Sequence, residues 1–353
     1  MSISAFTHPF LSGLLGDAET AQHLGVEADI AAMLRFEAAL VMAEMKAGLV
    51  PEEIARKIAA ISLSFEPPMQ ALREGVAKDG IVVATLVKQL KAAVGGEAAP
   101  FVHMGATSQD VIDTSLMLRL RSILPIFRSR LTTIISQLDD LDARFGERPL
   151  MGFTRMQAAI PIKVQNRIAA WQTPLKHSVR RLTPLESELP LQFGGAAGNL
   201  DQLGDKAAEV RRCLAQELGL GDEPQWHSQR DLIAEIANLL SVITGSLGKI
   251  GQDCALMAQM GKDIAMAGGG GSSAMAHKQN PVAAEALVAL ARFNAVQISG
   301  IHQSLVHEQE RSGAAWTLEW LLLPNMLMAC GASLLLAQKL LGQITSLGSD
   351  KPD

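Results

Sequence analysis

RDLIAEIANLLSVITGSLGKIGQDCALMAQMGK, residues 230–262, carries Ile233, Ile236, Leu240, Ile243, Leu247 and Ile250 at three- and four-residue spacings. That period draws one apolar stripe along a helix. At 1.5 Å per residue such a helix is about 50 Å long, and its stripe has to bury against partners of similar length. Residues 110–144 repeat the pattern with Leu116, Leu120, Ile123, Leu131, Ile134, Ile135, Leu138 and Leu141, and Pro125 is expected to kink that helix. Further helical runs cover 282–305 and 315–342. Several helices of this length in one chain predict an all-α fold, an elongated bundle, and no strand longer than four residues is read.

The N-terminal part is cut shorter. Ile30, Met33, Leu34, Leu40 and Val41 form a stripe from Val26 to Ala47, Gly48 ends it, and Pro51 opens the next helix. Residues 66–80 are expected to be a broken connector, followed by a helical stretch at 81–93 and the Gly- and Pro-containing GGEAAP at 95–100. The division is therefore a helical N-terminal domain (1–100), a central long-helix domain (101–342) and a short tail (343–353).

Composition narrows the function. The net charge of −5, with no basic arm, argues against nucleic-acid binding. Cys213, Cys254 and Cys330 are odd in number and widely spaced, which fits reduced thiols in a cytoplasmic protein. The N-terminal MSISAFTHPFLSG lacks the basic and long apolar regions of a signal peptide. Trp320–Ala337 is apolar, but Pro324, Asn325, Gly331 and Ser333 interrupt it, so a helix buried in a bundle or subunit interface is expected in place of a membrane span. No metal-ligand spacing occurs, and neither a metal nor another cofactor is expected.

Three polar clusters punctuate the helices. The run from Gly268 to Pro281, GGGGSSAMAHKQNP, joins two helical segments. Its glycines permit left-handed backbone, and a mobile loop with Ser272, Ser273 and Lys278 suits anion stabilisation; a solvated linker is the plainer alternative. It lacks the residues of a phosphate-binding P-loop around Lys278. The second cluster, His103 to Thr114, sets Thr107 and Ser108 before a long helix with Asp110 in its first turn. Capping and carboxylate binding are both open there. The third, Gly152 to Pro161, reads by itself as a helix start with a hydroxyl cap.

Taken together, GSSxMxxKxNPxxxE at 271–285, HxGxTSxDxxDT at 103–114 and TxxQxxxP at 154–161 resemble the fumarase/aspartase superfamily, with LRFEAAL (34–40) and the QRD triplet (229–231) extending the match. The resemblance implies a homotetramer whose central domains form a twenty-helix bundle, each active site gathering one cluster from each of three subunits. It also implies chemistry through an enolate-like intermediate next to a carboxylate. The loop serine, Ser272 here with Ser273 as the alternative, would carry the proton, and Lys278 with loop amides would stabilise the charge. Thr107, Ser108, Thr154, Gln157 and Asn280 would bind substrate, and His103 would orient it or hold a carboxylate. Many relatives continue into a third helical domain, which this sequence does not represent.

One departure selects the reaction. Relatives that eliminate an amino or hydroxyl group carry a proton-donating His in the cluster at 152–161, where this chain has Arg155. Arginine stays charged and cannot donate an ordinary proton. A carboxylate leaving group needs none, since its reference pKa is about 4. The implied reaction is therefore a reversible lactonisation of a small tricarboxylate, a cycloisomerisation; elimination of fumarate from a succinyl adduct such as adenylosuccinate, or a bundle without catalysis, are the competing readings. Arg155 and Arg311 would pair with substrate carboxylates. Arg311 could equally be a surface charge, and Trp316 and Trp320 could wall the site or pack. Glu285 is expected in an ion pair, with Arg155 as a candidate partner.

Overall fold

The structure, a computed structural model, describes residues 4–261, 263–271, 275 and 279–349. Among them run twelve helices: α1 (Ser12–Leu15), α2 (Ala18–Leu24), α3 (Val26–Lys46), α4 (Glu52–Ser64), α5 (Met69–Asp79), α6 (Val83–Val94), α7 (Ser108–Phe145), α8 (Val164–Glu188), α9 (Ala207–Leu218), α10 (Asp231–Met260), α11 (Val282–Gln303) and α12 (Gly313–Gly342). Four short strands accompany them: β1 (Pro149–Thr154) pairs antiparallel with β2 (Gln157–Lys163), and β3 (Ile264–Met266) with β4 (Ile344–Leu347).

The apolar stripes meet as their spacing requires. Leu120, Ile123, Leu131 and Leu138 of α7 pack with Ile233, Ile236, Leu240, Ile243 and Leu247 of α10 in one core, shared with α8, α11 and α12. A second core joins α3, α4 and α6 to Leu191, Phe193, Val210 and Leu214, so the segment after α8 returns to the N-terminal helices. Three helices, α10, α11 and α12, are long and apolar enough to cross a membrane by length and composition. The apolar window of α12 is mostly buried inside the protein, whereas most of that of α11 is not.

Three expectations need correction. Residues 66–80 are not merely a connector: Pro67 and Pro68 lead into α5, which buries Leu72 and Gly75 and ends at Gly80 in left-handed backbone. The long helix α8 goes unread in the sequence because Pro174 and Pro184 interrupt it and charged residues crowd it. Residues 152–161 form a hairpin, not a helix start. Thr154 faces Gln157 across a two-residue turn in which Arg155 (φ 50°) and Met156 (φ 65°) are both left-handed. Two positive φ angles define the turn that matches strand twist. Nearly all of β2 is exposed, so no alternation of apolar and polar residues announced the strand.

Candidate active site

The richest concentration of buried polar groups surrounds the start of α7. Thr107 caps this helix in a reciprocal box with Asp110, whose carboxylate accepts from the Thr107 amide at 2.9 Å. Asp110 is fully buried and also accepts from the amides of Gly194 and Gly195 (2.9 Å each) and bonds Nε2 of His227 at 2.8 Å. The cap therefore fixes the 192–195 segment to the helix start and leaves Ser108 half-buried beside it.

One turn further on, Asp113 receives both guanidinium nitrogens of Arg230 (2.7 and 3.1 Å) and the indole of Trp316 at 3.0 Å. Arg230 turns its remaining donors to Glu319, at 2.9 and 2.5 Å. All three charges are buried. Burial alone would lower the pKa of Arg230, but the two carboxylates hold it well above its ordinary value. Burial raises that of Glu319 even against the pull of Arg230. Trp316 is thus a packed hydrogen-bond donor, in edge contact with Trp320.

Arg311 joins this assembly and is not a loose surface charge. Its Nε donates to Oε1 of the buried Gln109 at 2.8 Å, and its Nη2 reaches the Ala196 carbonyl at 3.3 Å. His103 lies on the same side. Its backbone is left-handed (φ 63°), and Nδ1 meets Oε1 of Glu37 at 2.7 Å. Gly105, also left-handed (φ 70°), holds this loop against Leu203: a Cβ there would stand 2.8 Å from Leu203 Cγ. Burial would lower the pKa of His103, but the charge and hydrogen bond of Glu37, helped by Asp110, raise it overall. Behind Glu37, Glu44 is fully buried with neither carboxyl oxygen bonded, and burial with the charge of Glu37 pushes it up to about 9.

The other clusters lie elsewhere. Arg230, at the start of α10, bonds Glu319 near the start of α12, so these two helices begin at the same end of the molecule. The glycine loop follows the far end of α10. There β3 pairs with β4 just beyond α12, and the Ala267 amide donates to the Gln343 carbonyl at 2.7 Å. With about 1.5 Å of rise per residue, the α7 start and the loop are separated by on the order of 40 Å. The base of the loop is closed by paired backbone bonds between Gly270 and Asn280 (2.9 and 2.8 Å), and the Asn280 side-chain Nδ2 donates to the Gly271 carbonyl at 3.4 Å. Ser272, Ser273 and Lys278 lie outside the described residues.

Thr154, Arg155 and Gln157 sit at the exposed hairpin tip, at the same end as the loop. Arg155 lines a cleft of about 530 Å³ with Phe153, Met156, Arg167, Lys249 and Asp253, whereas Asn280 lines a different cleft with Gln279, Lys339 and Gln343. Glu285, in the first turn of α11, is exposed and makes no ion pair with Arg155 or another described residue of this chain. One chain therefore unites His103, Thr107, Ser108 and Arg311, while the hairpin and the described base of the loop lie at the other end. Sequence reasoning passed over Glu37, although a Glu inside the apolar run LRFEAAL was the available signal. It also assigned no part to Arg230, Glu319 and His227.

The chain is thus a bundle of long helices with polar clusters toward both ends. A family model described as Lyase matches residues 18–300. The 3-carboxy-cis,cis-muconate cycloisomerase of Pseudomonas aeruginosa is 39% identical over 328 residues, covering 90% of this chain and 71% of that protein. Its counterpart from Bradyrhizobium diazoefficiens is 37% identical, covering 94% and 76%. The solved 3-carboxy-cis,cis-muconate lactonizing enzyme of Pseudomonas putida superposes with a TM-score of 0.89 at 33% identity, covering 96% of this chain and 77% of that one. The chain belongs to this lyase family, the fumarase/aspartase superfamily.

Proposed function

We propose that the protein catalyses the reversible lactonisation of 3-carboxy-cis,cis-muconate to 4-carboxymuconolactone, a step of protocatechuate degradation in the cytoplasm. The observation that carries this reading is Arg155, a permanent cation at the tip of a tight hairpin, where family members that expel a hydroxyl or amino group carry a proton donor. The names and identities of the relatives support it.

In the lactonising direction, one substrate carboxylate attacks the alkene carbon. A C–O bond forms, and the π electrons pass into an enolate conjugated to a neighbouring carboxylate. The nucleophile belongs to the substrate, so proximity is supplied before the enzyme acts. Lys278, loop amides and the Thr107 and Ser108 hydroxyls stabilise the developing charge. Ser272 then delivers its proton to the carbon α to the carboxylate and is reprotonated from solvent. Arg155, Arg311 and His103 hold the remaining negative charge, with Thr154, Gln157 and Asn280 as further binding groups and Glu285 and Ser273 as supporting ones.

The working form is a homotetramer in which three chains contribute to each site. The separation of the clusters within one chain supports this, as do the apolar side chains left exposed on the long helices: Val242 of α10, Val296 of α11, and Leu321 and Leu335 of α12. The deciding experiment adds pure protein to carboxymuconate and follows its ultraviolet absorbance. Loss of absorbance is expected; no change, with fumarate released from adenylosuccinate instead, would assign the chain to the eliminating branch.

A further inference from the structure

We propose that Glu37 is a positioning residue: it fixes the orientation and tautomer of His103, so that Nε2 is the ring nitrogen presented to substrate. This rests on the reading that His103 faces the substrate. The geometry supplies the rest. An ionised carboxylate only accepts hydrogen bonds, so the 2.7 Å contact requires the proton on Nδ1. Glu37 is itself 2% exposed, on a helix whose neighbouring Phe36, Leu40 and Val41 are buried in the second core. It cannot follow the histidine if the ring swings. The imidazole is likewise carried on left-handed backbone just before the constrained Gly105.

The surrounding charges complete the device. Asp110 of α7 favours the protonated ring, Lys91 of α6 opposes it, and Glu44 lies behind Glu37 two helical turns along α3. Burial raises the Glu44 carboxyl in its dry site, and Glu37 is the member of the pair that meets His103. The result is a ring whose protonated form is favoured by a buried carboxyl partner and which is turned toward a trianionic substrate. Loss of the His103 proton at higher pH leaves the uncompensated Glu37 charge beside that substrate.

The test is a double-mutant cycle with Glu37→Gln and His103→Asn, read as kcat/KM for carboxymuconate from pH 5.5 to 9. Glu37→Gln is expected to lower kcat/KM roughly 10- to 100-fold, the loss that follows from removing a hydrogen bond to a charged group. It should also move the alkaline limb to lower pH. In the His103→Asn background the same change should have no further effect. Equal losses in both backgrounds with an unmoved alkaline limb would overturn the proposal, since Glu37 would then be only structural. A second arm needs no activity: the Tm gap between wild type and His103→Asn, measured against pH. A raised pKa stabilises the fold fully below about 6.5 and loses that stabilisation as pH passes the folded value. The gap should shrink from pH 6 to 9, and do so only when Glu37 is present. If wild type leaves carboxymuconate unchanged, the substrate reading fails and this arm still decides the dyad; a gap independent of pH would overturn it.

Discussion

Replacing Glu44 by glutamine should stabilise the protein at neutral pH and do little at pH 5. Glu44 is fully buried without a hydrogen-bond partner, and its carboxyl is raised from 4.5 to about 9, so it remains protonated in the folded state across this range. In the unfolded chain it ionises normally. The unfolded state therefore binds fewer protons, and stability falls as pH rises from the unfolded value toward the folded one. At 1.36 kcal/mol per pH unit, keeping that proton costs about 0.8 kcal/mol at pH 5 and about 4 kcal/mol at pH 7.5. Glutamine has nearly the same shape and no such cost. Its own buried amide carries a penalty that does not depend on pH and cancels between conditions. The difference in unfolding free energy between Glu44→Gln and wild type should therefore move by about 3 kcal/mol in favour of the variant between pH 5 and pH 7.5. Urea denaturation at fixed protein concentration measures it. An equal difference at both pH values would refute the argument, because Glu44 would then be ionised in the folded protein or reached by solvent.

Other outcomes follow from the site. Arg155→Asn keeps a residue that tolerates left-handed backbone, so the hairpin should survive, while loss of a charge-assisted pair should lower kcat/KM for carboxymuconate roughly 10- to 100-fold; unchanged kinetics would remove Arg155 from the site. Ser272→Ala should cut turnover by roughly 10²- to 10⁴-fold with the fold intact by circular dichroism, and full turnover would show that another group carries the proton. Arg230→Met strands the buried carboxylates of Asp113 and Glu319 and should destabilise the protein by about 3–5 kcal/mol in urea denaturation. A loss below about 1 kcal/mol would mean that those carboxylates find protons or other partners.

The bundle was legible because its helices bury one continuous stripe. Ile233 through Ile250 needed only a period of 3.6 to be placed, and the structure puts them in the core. The hairpin at 149–163 was not, because β2 faces solvent and its turn uses Arg155 and Met156 where Asn and Gly would be the usual signal. The α7 cluster was half legible. Its motif marked His103, Asp110 and Asp113, but the groups that anchor them come from positions 37, 194–195, 227 and 230, with Arg230 held in turn by Glu319, pairings that no local spacing encodes. The placement of Arg311 shows the same limit: a charge in a polar run reads equally as a site group or a surface residue until Gln109, 202 positions away in sequence, bonds it.

The distance between the α7 start and the glycine loop gives defects in this enzyme an unusual arithmetic. A chain damaged at His103 still carries a sound loop, and a chain damaged at Ser272 still carries a sound α7 cluster. Each inactive variant holds the part the other lacks. Unfolded together in equal amounts and reassembled at random, they should place a sound cluster opposite a sound loop in roughly a quarter of the sites. Two dead proteins would then recover about that fraction of wild-type turnover, and the loss caused by a mutation would belong to the assembly rather than to the chain that bears it.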